Sequence, residues 1–162
     1  MTHSFILPLP RCILPSLVGG KAAGLARLVA SGMAVPDGFC VTTKAYHQAL
    51  HAIGFLPAER WKHAVKQTAE GRREVLNESR SIILETDVSL LVNLCVEEIH
   101  RIAGRQERRW AVRSSATNED AGEASFAGLY RTELAVSPAE FGHAIKNIWA
   151  SIWDERVMAY TL

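Results

Sequence analysis

Trp110-Ala111-Val112-Arg113-Ser114-Ser115-Ala116-Thr117-Asn118-Glu119-Asp120 decides how the chain is read. The first four residues read as a short buried strand. The strand delivers Arg113 to its end, where hydroxyls and open backbone begin. A guanidinium matches the geometry of phosphate oxygens. Ser114, Ser115 and Thr117 can donate to phosphate or cap nearby backbone. An ordinary strand-to-loop junction, with Arg113 paired to Glu119 or Asp120, accounts for the same residues equally well.

Two further stretches carry chemistry. Upstream, Val18-Gly19-Gly20-Lys21 pairs glycines, which let backbone approach a ligand, with a lysine point charge. Amide N–H groups at a helix start attract phosphate. This is not a Walker A loop, because Pro15 stands in place of the first Gly and Ala22 in place of Ser or Thr. A glycine turn with a surface lysine explains the stretch when it is taken alone. Downstream, Ser125-Phe126-Ala127-Gly128-Leu129-Tyr130-Arg131-Thr132 places Gly128 among small residues and Thr132 on a following strand. Gly128 permits close approach to a planar or phosphate-bearing ligand, and a loop packed on Phe126 is the plainer account.

The rest of the chain alternates short strands with helices. Phe5 to Leu7 form an edge strand, followed by a loop carrying Pro8, Pro10 and Pro15. A helix is predicted from about Lys21, with Leu25 and Leu28 on its apolar face and Gly32 as its stop. Val35-Pro36-Asp37-Gly38 turns into a strand at Phe39 to Val41, and Thr42 or Thr43 caps a helix with Tyr46, Ala49, Leu50 and Ile53 on one face. Residues 58–85 read as mostly helical. Asp87 caps a helix burying Leu91, Leu94, Cys95, Ile99 and Ile102, with Gly104 beyond its end. Residues 114–128 read mainly as loop. Tyr130, Thr132, Leu134 and Val136 alternate as a strand, and Ser137-Pro138-Ala139-Glu140 is a capping box. The last helix buries Phe141, Ile145, Ile148 and Ile152 and runs close to residue 162. The sum is an α/β (α+β) domain of short strands and several packed helices.

Composition bounds the function. With 162 residues, 48% hydrophobic and 22% charged, the chain can build the core of one domain. A net charge of +1 gives no global field for nucleic acid or an anionic membrane. The cluster Arg101, Arg105, Arg108 and Arg109 reads as a solvated helix end and loop. Cys12, Cys40 and Cys95 are far apart and lack CxxC spacing, so neither a zinc site nor a disulfide framework is expected, and reduced thiols fit a cytoplasmic protein. No secretory signal or membrane-spanning run is legible.

In combination the motifs are far more specific. Gly-Gly-Lys, Val-Pro-x-Gly-Phe, Ala-Val-Arg-Ser-Ser-Ala-Thr-x-Glu-Asp and Ser-Phe-Ala-Gly, in this order, resemble the N-terminal nucleotide-binding domain of phosphoenolpyruvate synthase and pyruvate phosphate dikinase, which rifamycin phosphotransferases share. The resemblance runs from about Leu17 to the end, with residues 55–100 matching only in helical character.

The resemblance implies the first subdomain of an ATP-grasp-like nucleotide-binding domain, with residues 1–162 a single partial domain. It implies that Lys21 and Arg113 hold ATP phosphates, that Gly128 and Thr132 line the nucleotide pocket, and that Glu119 and Asp120 orient the loop or Arg113. Mg2+ ligands are expected outside this chain, as are the second subdomain and the phosphohistidine domain, supplied in cis or in trans. An open half-site is expected to self-associate weakly. The family's Gly-Glu pair after the helix leucine is replaced by Ala26 and Arg27. None of the six histidines sits in a matching motif.

Overall fold

The computed structural model describes residues 5–104, 108–117 and 131–161. It is a mixed, helix-rich α+β structure with two small antiparallel sheets. The first sheet pairs β1 (Ile6–Pro8) with β2 (Phe39–Val41) in the register Ile6↔Val41, Leu7↔Cys40 and Pro8↔Phe39. Between them lie a 3₁₀ turn (Leu9–Arg11) and α1 (Pro15–Ala30).

Helix α1 departs from the expected one in two ways. It begins at Pro15, because proline suits a first helical turn whose amide has no partner. It is broken at Gly19, whose φ of 78° and ψ of 166° are open to glycine alone, so the stretch from Gly20 acts as a second helix start. The buried face is also not the leucine face. Val18, Ala22, Ala23 and Ala26 pack with Leu9, Cys12 and Cys40, while Leu25 and Leu28 stay 38% and 39% exposed. Alanines let the helix lie close to the small sheet, and the leucines are turned away. Gly32, at φ 78°, closes the helix as expected, with its N–H on the Val29 carbonyl.

Four helices follow: α2 (Thr43–His51), α3 (Pro57–Val65), α4 (Ala69–Glu85) and α5 (Ser89–Ala103). The Thr68 hydroxyl caps α4 by accepting Gly71 N–H at 3.3 Å. Asp87 lies one residue outside the expected cap position. Val88 is the cap, and Asp87 accepts the Ser89 N–H at 2.9 Å and its hydroxyl at 2.6 Å. Ile53, expected on the buried face of α2, is 50% exposed, because the chain turns away after His51.

The second sheet pairs β3 (Trp110–Arg113) with β4 (Thr132–Val136). Trp110 faces Val136 and Val112 faces Glu133, so Leu134 and Ala135 both oppose Ala111. Ala135 takes a φ of 55° at this bulge. The extra residue breaks the expected alternation: Val136 is buried, but Leu134 is 73% exposed. Ser137 and Glu140 form the expected capping box, with Glu140 accepting the Ser137 N–H at 2.8 Å. It starts a 3₁₀ turn (Pro138–Glu140) leading into α6 (Phe141–Ser151). The expected single last helix ends there, and α7 (Glu155–Thr161) is separate. Asp154 restarts it by accepting Arg156 N–H at 2.9 Å.

The main core lies among α2 to α6 and the inner face of the second sheet. Trp153 is its aromatic centre. Its ring meets Phe55 at 5.4 Å and Trp61 at 5.5 Å, both edge-on, and its indole N–H donates to the Tyr46 hydroxyl at 3.2 Å. Burial pushes the Tyr46 hydroxyl up to about 12.

Candidate functional site

The site is built where α1 meets the end of β3. On β3, Trp110 and Val112 pack toward the main core, which turns Ala111 and Arg113 outward. Arg113 is exposed and has no ion-pair partner among the described residues. Directly opposite it in the ladder stands Thr132, also exposed. Paired residues of an antiparallel ladder share a face, so the two side chains leave the sheet on the same side.

The loop after Arg113 clasps the break in α1. Ala116 C=O accepts the Gly20 N–H at 3.1 Å. The Ser115 hydroxyl accepts the Ala22 N–H at 3.0 Å. Lys21 lies between these two bonds, with an exposed side chain. The contact at Gly19 is close enough to exclude any side chain: a Cβ there would stand 1.9 Å from the Ser115 carbonyl oxygen and 2.5 Å from its Oγ. Gly19 therefore serves twice, in its backbone angles and in the space it leaves.

This geometry corrects one expectation. The amides of Gly20 and Ala22 do not face outward as an anion cradle; the loop already satisfies them. What this surface exposes is the side chains of Lys21 and Arg113. Of the two roles open to Ser115, its hydroxyl takes the backbone-capping one. A glycine at the start of a helix, with no side chain to cap the third amide, was the signal for such a distant partner.

Lys21, Arg113 and Thr132 thus come to connected elements. Gly128, Glu119 and Asp120 lie outside the described residues. A cleft of about 570 Å³ between the starts of α5 and α6, lined by Asp87, Asn93, His143 and Lys146 among others, includes none of the predicted residues.

Beneath the clasp, Cys12 and Cys40 lie in one buried cluster. Cys40 donates to the Val18 carbonyl at 3.5 Å, and Cys12 to that of Pro8 at 3.5 Å. The two free thiols are neighbours there. That contact, together with burial, pushes the Cys40 thiol far up. Spacing in the sequence hid this pair, because Cys40 sits on β2 and Cys12 at the end of the 3₁₀ turn after β1, and packing in one cluster brings them together. Cys95 is separate, and burial raises its thiol to about 12.

The profile of the family described as "Pyruvate phosphate dikinase, AMP/ATP-binding domain" matches residues 15–162. The chain belongs to this family. Phosphoenolpyruvate synthase of Aeropyrum pernix is 39% identical over 91% of the chain and 19% of that protein's length. Rifampicin phosphotransferase of Bacillus cereus is 36% identical over 90% of the chain and 17% of its own length. A probable phosphoenolpyruvate synthase of Methanothermobacter thermautotrophicus is 32% identical over 89% of the chain and 22% of its length. The chain therefore spans roughly a fifth of these relatives, and the match begins at the proline that opens α1. No described helix is long and apolar enough to cross a membrane.

Proposed function

We propose that this chain is the first subdomain of an ATP-grasp-type domain and supplies the phosphate-side contacts to ATP. Lys21 and Arg113 hold phosphate oxygens, and Thr132 and Gly128 line the nucleotide pocket. Residues 1–162 form one partial domain. The observation that carries the reading is the clasp between Ala22 N–H and Ser115 Oγ, which ties the Gly-Gly-Lys break to the loop that follows Arg113. Two fixed cations on joined elements suit phosphoryl transfer, where charge spreads over non-bridging oxygens and catalysis is largely electrostatic positioning.

In the intact enzyme the β-phosphoryl group of ATP would pass to a protein histidine and then to pyruvate. The second subdomain and the phosphohistidine domain would act in cis or in trans. Magnesium neutralises phosphate charge when bound. Its carboxylate ligands are proposed outside this chain, as the family resemblance implies. The acceptor is chosen outside the chain as well, and a rifamycin in place of pyruvate is the alternative that the rifampicin phosphotransferase relatives support. A cytoplasmic setting fits reduced buried thiols.

A non-catalytic nucleotide-binding or interaction module is the second reading, prompted by Ala26 and Arg27. Ala26 is only 3% exposed and packs in the small cluster, whereas Arg27 is exposed and adds a further cation to α1, which suits an anionic ligand and leaves the nucleotide reading ahead.

Calorimetric titration of the purified chain with MgATP tests the proposal. Saturable binding that is lost in Arg113→Ala supports it. No binding, even with the remainder of the ATP-binding domain supplied in trans, would overturn it.

A further inference from the structure

We propose that Ser115 is the positioning residue of this site, holding Lys21 in register with Arg113 by capping the broken helix from a distance. The inference rests on the phosphate-site reading above and adds to it how the two cations are kept together.

Because the helical path fails at Gly19, Gly20 to Ala22 form the first turn of a new helix inside α1. The first amides of any helix lack carbonyl partners within it. Normally a Ser, Thr, Asp or Asn at the cap accepts the second or third amide. Here the cap residue is glycine and has no room for a side chain. The missing acceptor arrives from 93 residues away: Ser115 Oγ takes the third amide, that of Ala22, at 3.0 Å. Its neighbour Ala116 takes the first amide, that of Gly20, at 3.1 Å.

Lys21 is therefore fixed at both flanks by the loop that begins one residue after Arg113. Any movement of that loop shifts both cations together, and loss of the Ser115 bond frees one relative to the other. Ser115 Oγ is the acceptor in its bond to α1, which ties the residue to the backbone immediately after Lys21. Its effect is exerted through Lys21.

The test compares wild type, Ser115→Ala and Ser115→Thr in the full chain. It uses MgATP and adenosine as separate calorimetric probes and amide hydrogen exchange at Ala22 as a direct readout of the cap. Loss of one neutral hydrogen bond predicts MgATP affinity lower by about five- to tenfold in Ser115→Ala. Adenosine affinity is expected to stay unchanged, Ala22 exchange to quicken by a similar factor, and Ser115→Thr to restore both. If Ser115→Ala weakens MgATP and adenosine equally, or leaves MgATP affinity untouched, the positioning role is overturned while the phosphate site stands. If wild type binds no MgATP even with the remainder of the ATP-binding domain supplied in trans, under conditions where Ala22 exchange still responds, the phosphate-site reading fails and this role fails with it.

Discussion

Arg113 and Thr132 face each other directly across the β3–β4 ladder, both exposed, although 19 positions separate them in sequence. The pairing makes a local prediction. Thr132→Val keeps the β-branched shape and the strand, so stability should change by no more than about 0.5 kcal/mol. MgATP affinity should fall, because the hydroxyl beside the guanidinium is gone. Thermal melts and calorimetry on the same preparation check both halves.

Gly19 permits no substitution. Gly19→Ala would have to hold a side chain in a backbone region reserved for glycine and drive its Cβ into the Ser115 backbone. A loss of about 3 kcal/mol is expected from strain and overlap together. Gly38→Ala, into open space, is the control and should cost less than about 0.5 kcal/mol. Urea denaturation midpoints decide between them.

Trp153 anchors α7 and the end of α6 to α2 and α3. It is 1% exposed, and it meets Phe55, Trp61 and the Tyr46 hydroxyl. Trp153→Ala should destabilise by about 3–5 kcal/mol through the cavity it leaves. Trp153→Phe keeps most of the ring contact but strands the Tyr46 hydroxyl, and an intermediate loss is expected. Denaturant unfolding of the two variants orders them.

Acid should act partly through Asp154. Its carboxyl is held below its ordinary value by the bonds from Arg156, with the charges of Arg156 and Arg80 adding to the effect. A folded-state value below the unfolded one means the contribution is present above the unfolded value. It is lost as pH falls through the folded one. Stability measured from neutral pH downward should therefore drop more steeply below about pH 4 in wild type than in Asp154→Asn. Parallel acid limbs in the two proteins would contradict this.

Ile13, Leu14, Leu25, Leu28 and Met33 are all well exposed, and all lie on or next to α1. A second copy can cover them, so weak self-association of the chain is expected at high concentration. Leu25→Glu with Leu28→Glu should abolish it. Sedimentation of both proteins across a concentration series gives the answer, and a wild type that stays monomeric throughout would refute the expectation.

Much of the local structure follows from short-range rules. Ser137 and Pro138 with Glu140 two residues on specified a capped turn, Gly32 specified a helix stop, and Trp110 to Arg113 specified a strand, although it is half-buried with Ala111 and Arg113 outward and not buried as expected. These rest on steric and hydrogen-bonding limits acting over a few residues. The order of the glycine, arginine and Ser-Phe-Ala-Gly motifs was likewise enough to point to the family to which the chain belongs.

Other features depend on partners far along the chain. That alanines and not leucines line the buried side of α1 follows from how closely the helix must approach Cys12 and Cys40, and amphipathic spacing alone cannot reveal that distance. That Leu134 faces outward follows from a one-residue bulge at Ala135, which period-two reasoning cannot foresee. By itself the sequence named Lys21 and Arg113 as candidates for phosphate. Only the tertiary structure decided that the amides of Gly20 and Ala22 are spent on the loop after Arg113. The physical reason is that a helix start must satisfy its amides somewhere, and which acceptor it finds is settled by packing between segments about ninety residues apart.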